Sequence, residues 1–132
     1  MDSEKYSPSL FRQSIIVFYK TIDEFNEIID YLNTEMGAYT SFIERKNGWA
    51  TVMFNDRSII RLYDIKDLNR YYYNFRWTSI MITSGCTKED IEMLNKSPIL
   101  SFIYGSYANA NIMRITEPRN IFVGATPVKY ER

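Results

Sequence analysis

Histidine is absent from this 132-residue chain, and cysteine occurs only once. The first absence removes the commonest general base and the commonest metal ligand of proteins. A lone thiol forms neither an internal disulfide nor a thiolate metal cluster. Catalysis would have to use a carboxylate pair, a lysine or tyrosine base, or the thiol of Cys86, and no motif supports any of these. We expect no catalytic residue, no bound metal and no cofactor.

The chain also lacks an excess of either charge and any long apolar run. Sixteen Lys and Arg residues balance sixteen Asp and Glu residues, so general nucleic-acid binding, which needs excess positive charge, is not expected. The longest apolar stretch, Ile15–Tyr19, is far shorter than the ~20 residues of a membrane span. The polar first residues contain no secretion signal. We expect no membrane binding and a cytoplasmic location, in the host cell if the chain is viral.

Glycine and proline are scarce, with five and four residues, whereas aromatic residues reach 16%. Together with 45% hydrophobic and 24% charged residues, this composition excludes disordered and collagen-like classes. Tyrosine has an apolar body and a polar tip, which suits half-buried strands, subunit interfaces and base-stacking surfaces. An AT-rich genome would raise the tyrosine content without any functional reason.

The first half of the chain predicts a strand, a helix and a three-strand meander. Arg12–Tyr19 is typical of a strand buried on both faces. Thr21 and Glu24 have the spacing of a capping box, and Gly37 lies just past the predicted helix end. The residues expected on its buried face are Ile22, Phe25, Ile28, Ile29 and Leu32. The meander strands are Tyr39–Arg45, Gly48–Phe54 and Arg57–Tyr63, with turns at Asn47-Gly48 and Asn55-Asp56.

The second half predicts further alternation of strands and helices. Asp64 is expected to cap a short helix, and Thr87 with Asp90 a helix that extends to Asn95. The expected strands are Trp77–Thr83, Ile99–Tyr104, Asn111–Thr116 and Asn120–Val123. The predicted fold is a single α+β domain over residues 10–132, preceded by a loose arm over residues 1–9. Its sheet is mixed or mostly antiparallel, with two to three helices packed on it.

Residues 55–94 resemble a segment of a known family. They read NDRSIIRLYDIKDLNRYYYNFRWTSIMITSGCTKEDIEML: a polar turn, an apolar strand, a segment with Asn and Arg, the step Arg76-Trp77, a second apolar strand and a capped helix. This succession is similar to the stretch leading into the Walker B strand of phage terminase large subunits. Thr83 and Ser84 stand where those P-loop ATPases have the Asp-Glu pair, and no glycine-rich phosphate loop is present. The resemblance implies a remnant of that fold, or a small phage protein with the same succession of strands and helices. The missing residues argue against ATP hydrolysis.

Arginine and aromatic residues concentrate in the same part of the chain. Arginine binds phosphate bidentately and aromatic faces stack on bases, while backbone N–H groups at Gly85–Thr87 would lie at a helix N-terminus. The predicted ligand-binding residues are Arg57, Arg61, Arg70, Tyr73, Arg76, Trp77, Ser84 and Thr87. The alternative is that Arg57 and Arg61 lie on a solvated strand face and that the tyrosines pack in a core or a dimer interface.

These observations favour a non-enzymatic binding protein from a phage or mobile element. The most specific form of this hypothesis is a sponge, a protein that sequesters a nucleotide-derived immune signal. The analogy is with the small oligomeric proteins with which phages counter the Thoeris defence. The alternative is a protein-binding inhibitor of a host defence enzyme, or a virion-associated factor. The run Tyr71–Tyr73 predicts a homo-oligomer, because at least one of three consecutive bulky side chains faces outward.

Overall fold

The computed structural model describes residues 13–68, 77–99 and 112–131, whose strands form one seven-stranded mixed sheet. Its order is β2-β3-β4-β1-β5-β6-β7. The strands are β1 (Ser14–Tyr19), β2 (Thr40–Lys46), β3 (Trp49–Phe54), β4 (Ile59–Asp64), β5 (Ser79–Thr83), β6 (Ile112–Ile115) and β7 (Thr126–Pro127). Helix α1 spans Ile22–Thr34 and helix α2 spans Lys88–Lys96; short 3-10 helices span Gly37–Tyr39, Ile65–Asp67, Pro118–Ile121 and Val128–Tyr130.

The four central strands β4, β1, β5 and β6 are parallel, whereas β2, β3 and β7 are antiparallel to their neighbours. The sheet therefore has a carboxyl edge, where the central strands end, and an amino edge, where they begin. This arrangement confirms the α+β class and the mixed sheet. The meander β2-β3-β4 is also confirmed. Gly48 in the tight turn between β2 and β3 has φ 90°, a backbone conformation that residues other than glycine rarely adopt.

Side chains pack on both faces of the sheet, as expected for parallel strands. The residues of α1 that face the sheet are Phe25, Ile28, Ile29 and Leu32, and they form one core with Ile15, Val17 and Tyr19 of β1. On the opposite face, Leu94 of α2 belongs to a second core that includes Ile16, Phe18 and Trp77. The helices after β1 and after β5 thus lie on opposite faces, which makes the space between these two strands a topological switch point at the carboxyl edge.

Local signals predicted the helix starts correctly. Thr21 Oγ1 accepts a hydrogen bond from Glu24 N, and the Glu24 carboxylate accepts one from Thr21 N, so the capping box is present. The same reciprocal pair links Thr87 and Asp90 at the start of α2. Asp64 caps the 3-10 helix Ile65–Asp67.

Three local predictions were wrong. The segment Asn120–Val123 is no strand, because the Asn120 amide oxygen accepts the Thr116 and Glu117 N–H groups and favours the 3-10 helix Pro118–Ile121. Strand β4 begins at Ile59, because the preceding loop includes Arg57. Ile22 is 55% exposed in the first turn of α1. Gly37 lies past the end of α1 at Thr34, as predicted, and begins a 3-10 helix. The predicted arm, residues 1–9, and most of the predicted strand Ile99–Tyr104 lie outside the described residues.

Candidate functional site

The predicted ligand-binding residues that the structure describes do not form one site. Arg57 lies in the β3–β4 loop at the amino edge, whereas Ser84 and Thr87 follow β5 at the carboxyl edge. Arg61 lies in the middle of β4, half-buried, with Nη1 3.5 Å from Tyr63 Oη. The sheet therefore separates positions that the sequence places within a short segment.

Trp77 has no exposed surface and belongs to the second core, so its ring offers no face to a ligand in this structure. The other predicted residues, Arg70, Tyr73 and Arg76, lie outside the described residues, as does the run Tyr71–Tyr73 that predicts a homo-oligomer. Their role in binding and the oligomeric state stay predictions.

At the carboxyl edge, the side chain of Glu24 connects the start of α1, which follows β1, to the end of β5. Its Oε1 accepts hydrogen bonds from Lys20 N (2.9 Å), Thr21 N (3.0 Å) and Thr83 Oγ1 (2.6 Å), and its Oε2 accepts one from Gly85 N (2.7 Å). Burial raises the pKa of Glu24, but the hydrogen bonds from Thr83 and from the backbone outweigh it and hold the pKa below its usual value. Glu24 is therefore ionised at neutral pH and satisfies four donors.

Asp90 plays the corresponding part at the start of α2. Its carboxylate accepts from Thr87 N (2.8 Å) and pairs with Lys20 Nζ (3.0 Å), although the side chain is largely buried. Burial raises the pKa of Asp90, while the Thr87 N–H and the Lys20 ammonium lower it, with a net shift below the usual value. The N–H groups of Gly85 and Thr87, predicted to bind phosphate, thus already have carboxylate acceptors within the chain.

The hollow beside Glu24 at the carboxyl edge is too small for a ligand. The hollow lined by Glu24, Glu27, Thr83, Ser84 and Glu117 holds about 20 Å³, which accommodates about one water molecule. Beside it, Arg114 Nη1 donates to the carbonyl oxygens of Thr83 and Cys86, each at 2.9 Å. The Arg114 guanidinium also forms a two-point ion pair with Glu131, at 2.8 and 3.0 Å, which attaches the end of the described chain to this edge. We call this region a structural junction, because its hydrogen bonds and ion pairs connect α1, β5, α2 and the last described residues.

The thiol of Cys86 is enclosed by the same junction. It is 5% exposed, and its Sγ lies 3.7 Å from the Phe18 carbonyl oxygen. Burial, which disfavours the thiolate, raises the pKa of Cys86 to about 11. Because the thiolate is the nucleophile, this setting argues against a reactive cysteine.

We expect native protein at pH 7.5 to resist modification of Cys86 by a disulfide reagent such as dithionitrobenzoate, because the thiol is both protonated and buried. Protein unfolded in guanidinium should react completely within the mixing time. The measurement is the release of thionitrobenzoate followed at 412 nm, the usual wavelength of this assay. Rapid stoichiometric labelling of the native protein would contradict the buried environment.

A larger space lies at the amino edge, beyond the end of α1. This apolar groove holds about 620 Å³ and is lined by Gln13, Ile15, Met36, Tyr39, Phe54, Asn55, Asp56, Ser58, Ile59, Ile60 and Phe122. Its volume and its mostly apolar lining are typical of small-molecule sites. A second hollow of about 390 Å³ adjoins it and shares Gln13, Ile15 and Phe122.

Aromatic rings shape the apolar groove. Phe122 lies between two other rings: its centroid is 6.0 Å from that of Phe54, edge-on, and 6.4 Å from that of Tyr31. Phe122 is nevertheless 43% exposed, and Tyr39, which also lines the groove, is 61% exposed. Exposed aromatic faces beside an open groove can contact a planar ring or an apolar side chain.

The polar side chains in the lining are those of Gln13, Tyr39, Asn55, Asp56 and Ser58, and most of them bond to the chain itself. Asp56 Oδ1 accepts from Ser58 N (2.8 Å), and Ser58 Oγ accepts from Gln13 N (3.0 Å). The sequence did not predict this groove, because Phe122 falls in the segment wrongly predicted as a strand. Tyr39, Phe54 and Phe122 share no local motif that would have brought them together.

Comparison with known proteins finds no matching family model, no matching curated protein and no matching solved structure. Within residues 13–68, 77–99 and 112–131, no helix is long and apolar enough to cross a membrane. The same residues contain no group of three Cys, Asp or Glu side chains placed to hold a metal ion. The function of the chain is therefore inferred from the geometry of the apolar groove.

Proposed function

We propose that this chain is a non-catalytic binding protein that sequesters a small ring-bearing molecule in the apolar groove. The observation that carries the proposal is the groove itself: about 620 Å³ of open, mostly apolar space with the exposed rings of Tyr39 and Phe122 in its lining. At the carboxyl edge, where sheets with parallel strands often bind ligands, the Thr83 hydroxyl and the Gly85 N–H already donate to the Glu24 carboxylate.

A nucleotide-derived immune signal is the ligand that the sequence analysis favours. In that case the chain would be a phage protein that counters host defence in the host cytoplasm. The base of such a signal is a planar ring of the kind that stacks on aromatic side chains. Binding without turnover would suffice for this role, because a sponge lowers the free concentration of the signal.

The alternative is a protein-binding inhibitor, and one observation favours it. Val123, next to Phe122, is 60% exposed, so apolar surface extends beyond the groove. Exposed apolar surface next to a groove is typical of protein interfaces. Under this alternative, an apolar side chain of the partner would occupy the groove in place of a small molecule.

Replacement of Phe122 by alanine tests the groove. We expect Phe122→Ala to weaken binding of the neutral fluorophore N-phenyl-1-naphthylamine about tenfold, because one aromatic contact contributes roughly 1.4 kcal/mol. The matched control is Phe42→Ala, since Phe42 is similarly exposed (47%) but lies on β2, outside the groove lining. Fluorescence titration gives the dissociation constants.

Absence of binding by the wild-type protein, or equal weakening in both variants, would contradict a groove that takes ring-bearing ligands. A thermal-shift screen with nucleotides and cyclic dinucleotides then addresses the natural ligand. A compound present at a hundred times its Kd stabilises the protein by about 2.7 kcal/mol. If no compound shifts the melting temperature while a host protein competes with the fluorophore, the alternative is favoured.

A further inference from the structure

The loop between β3 and β4 holds an arginine in a conformation that suits glycine. Arg57 N donates to the Phe54 carbonyl oxygen (2.9 Å), and Phe54 N donates to the Ser58 carbonyl oxygen (2.8 Å), which closes a three-residue loop. The third loop residue, Arg57, has φ 71°. It is the sole non-glycine residue with positive φ among those the structure describes.

Loops of this kind usually have glycine at the left-handed position, because a Cβ makes that conformation unfavourable. Arginine has neither the freedom of glycine nor the short polar side chain with which asparagine tolerates the left-handed region. The loop geometry therefore gives no reason for an arginine at position 57. Backbone strain that local structure does not explain is common where a side chain has a binding role.

The surroundings of Arg57 indicate what that role is. Its neighbours Asn55, Asp56 and Ser58 line the apolar groove, and Arg57, which is not itself part of the lining, lies on the same loop. The Arg57 side chain is exposed, and within the described residues its guanidinium takes part in no hydrogen bond or ion pair. By contrast, the guanidinium of Arg114 pairs with Glu131, and that of Arg45 bonds to the Asn26 side chain.

We infer that Arg57 is a specificity-determining residue of the groove, and that the ligand carries an anionic group next to its ring. This inference rests on the proposed function, because it assigns a charge preference to the same groove. The long arginine side chain on a groove loop can meet a phosphate, sulfonate or carboxylate at the groove mouth while the ring lies among the aromatic side chains. Arg57 would then contribute to binding at a cost to the stability of the fold.

Two fluorophores that differ in one charged group test this inference. Anilinonaphthalene sulfonate has an aromatic ring system and an anionic sulfonate, whereas N-phenyl-1-naphthylamine lacks the sulfonate. For Arg57→Gly we expect about tenfold weaker binding of the sulfonate, the change typical of one charge-assisted hydrogen bond, and unchanged binding of the neutral compound. The same variant should melt about 2–5 °C higher, because glycine relieves the backbone strain.

Two control variants separate a local contact from net charge. Arg57→Lys keeps the positive charge and should retain sulfonate binding within about threefold, while the strain persists. Lys66→Ala removes one positive charge at the opposite edge of the sheet, where Lys66 is highly exposed, and should leave both titrations unchanged.

The outcomes separate failure of the inference from failure of the proposed function. If the neutral compound binds but Arg57→Gly leaves sulfonate binding unchanged, the groove stands and the role of Arg57 is overturned. The same holds if Lys66→Ala weakens sulfonate binding as much as Arg57→Gly does. If neither compound binds the wild-type protein, the groove and the inference that depends on it both fail. A melting temperature of Arg57→Gly at or below that of the wild type would overturn the strain argument.

Discussion

Replacement of Glu24 by alanine should lower the free energy of unfolding by about 3 kcal/mol, because four donors lose a charged acceptor at once. Two of these donors, Lys20 N and Thr21 N, belong to the start of α1. The other two, Thr83 Oγ1 and Gly85 N, belong to the end of β5. The substitution therefore removes a helix cap and the link between two elements, which is a large part of the stability of a small domain.

Urea unfolding at pH 7, followed by far-ultraviolet circular dichroism, measures this loss. The matched control is Glu27→Ala, one turn further along α1, where the carboxylate is exposed. We expect the control to change the unfolding free energy by less than about 0.5 kcal/mol. Equal effects of the two substitutions would mean that the hydrogen bonds of Glu24 contribute no more than an exposed carboxylate does.

The contribution of Glu24 should also depend on pH with a defined sign. Its pKa is lower in the folded protein than in the unfolded chain, so its stabilisation is fully present above the unfolded pKa of about 4.3. It is lost as the pH falls through the folded pKa. The difference in unfolding free energy between wild type and Glu24→Gln should therefore decrease from about pH 6 to about pH 3. The pKa of Asp90 is also lowered on folding, in the wild type and in Glu24→Gln alike, so the contribution of Asp90 cancels in the difference between the two proteins.

Gly85 leaves room for the Glu24 carboxylate. A Cβ at position 85 would lie 2.8 Å from Glu24 Oε2 and 3.1 Å from Lys20 Cβ. Such distances are shorter than van der Waals contact, so the carboxylate would have to shift away from position 85. The glycine at position 85 thus allows the Glu24 carboxylate to reach the Gly85 N–H without a clash.

Replacement of Trp77 by alanine is expected to destabilise the protein by about 3–5 kcal/mol, the usual cost of removing a large aromatic side chain from a core. The ring is fully buried in the second core, together with Phe18, Ile80 and Leu94. Trp77→Phe, which keeps part of the volume, should cost clearly less. Urea unfolding followed by circular dichroism measures both variants without depending on the tryptophan signal.

This result would distinguish two roles for Trp77. From the sequence, the Trp77 ring was expected to stack on a ligand, and such a ring could be replaced by alanine with little change in stability. If Trp77→Ala retained wild-type stability and lost binding of N-phenyl-1-naphthylamine, the buried position would be wrong. We expect the reverse, with the main effect on the unfolding free energy.

Several features of the fold could be predicted from the sequence because they depend on residues close together in the chain. The capping boxes Thr21–Glu24 and Thr87–Asp90 need only three-residue spacing. Gly48 provides the positive φ of the turn before β3. The apolar run that forms β1 predicts burial on both faces.

The candidate site was predicted poorly because it depends on the order of the strands. Arg57 was predicted as a binding residue because of its charge. Its left-handed backbone, and the position of its loop beside the groove, follow instead from the length of the β3–β4 loop. Ser84 and Thr87 were selected as part of a phosphate site, but the carboxylates of Glu24 and Asp90 accept the nearby backbone N–H groups. Charge and composition cannot show whether a donor already has an acceptor elsewhere in the chain.

The sequence by itself determined the helix starts, the meander and the absence of histidine chemistry, since each is a property of composition or of residues within one turn. Only the tertiary structure decided that Glu24 reaches Thr83 and Gly85, 59 and 61 residues away. It also decided that Tyr39, Phe54 and Phe122 surround one groove. These contacts follow from which strands pair and in which order, and strand order depends on the packing of the whole core, which no local pattern encodes.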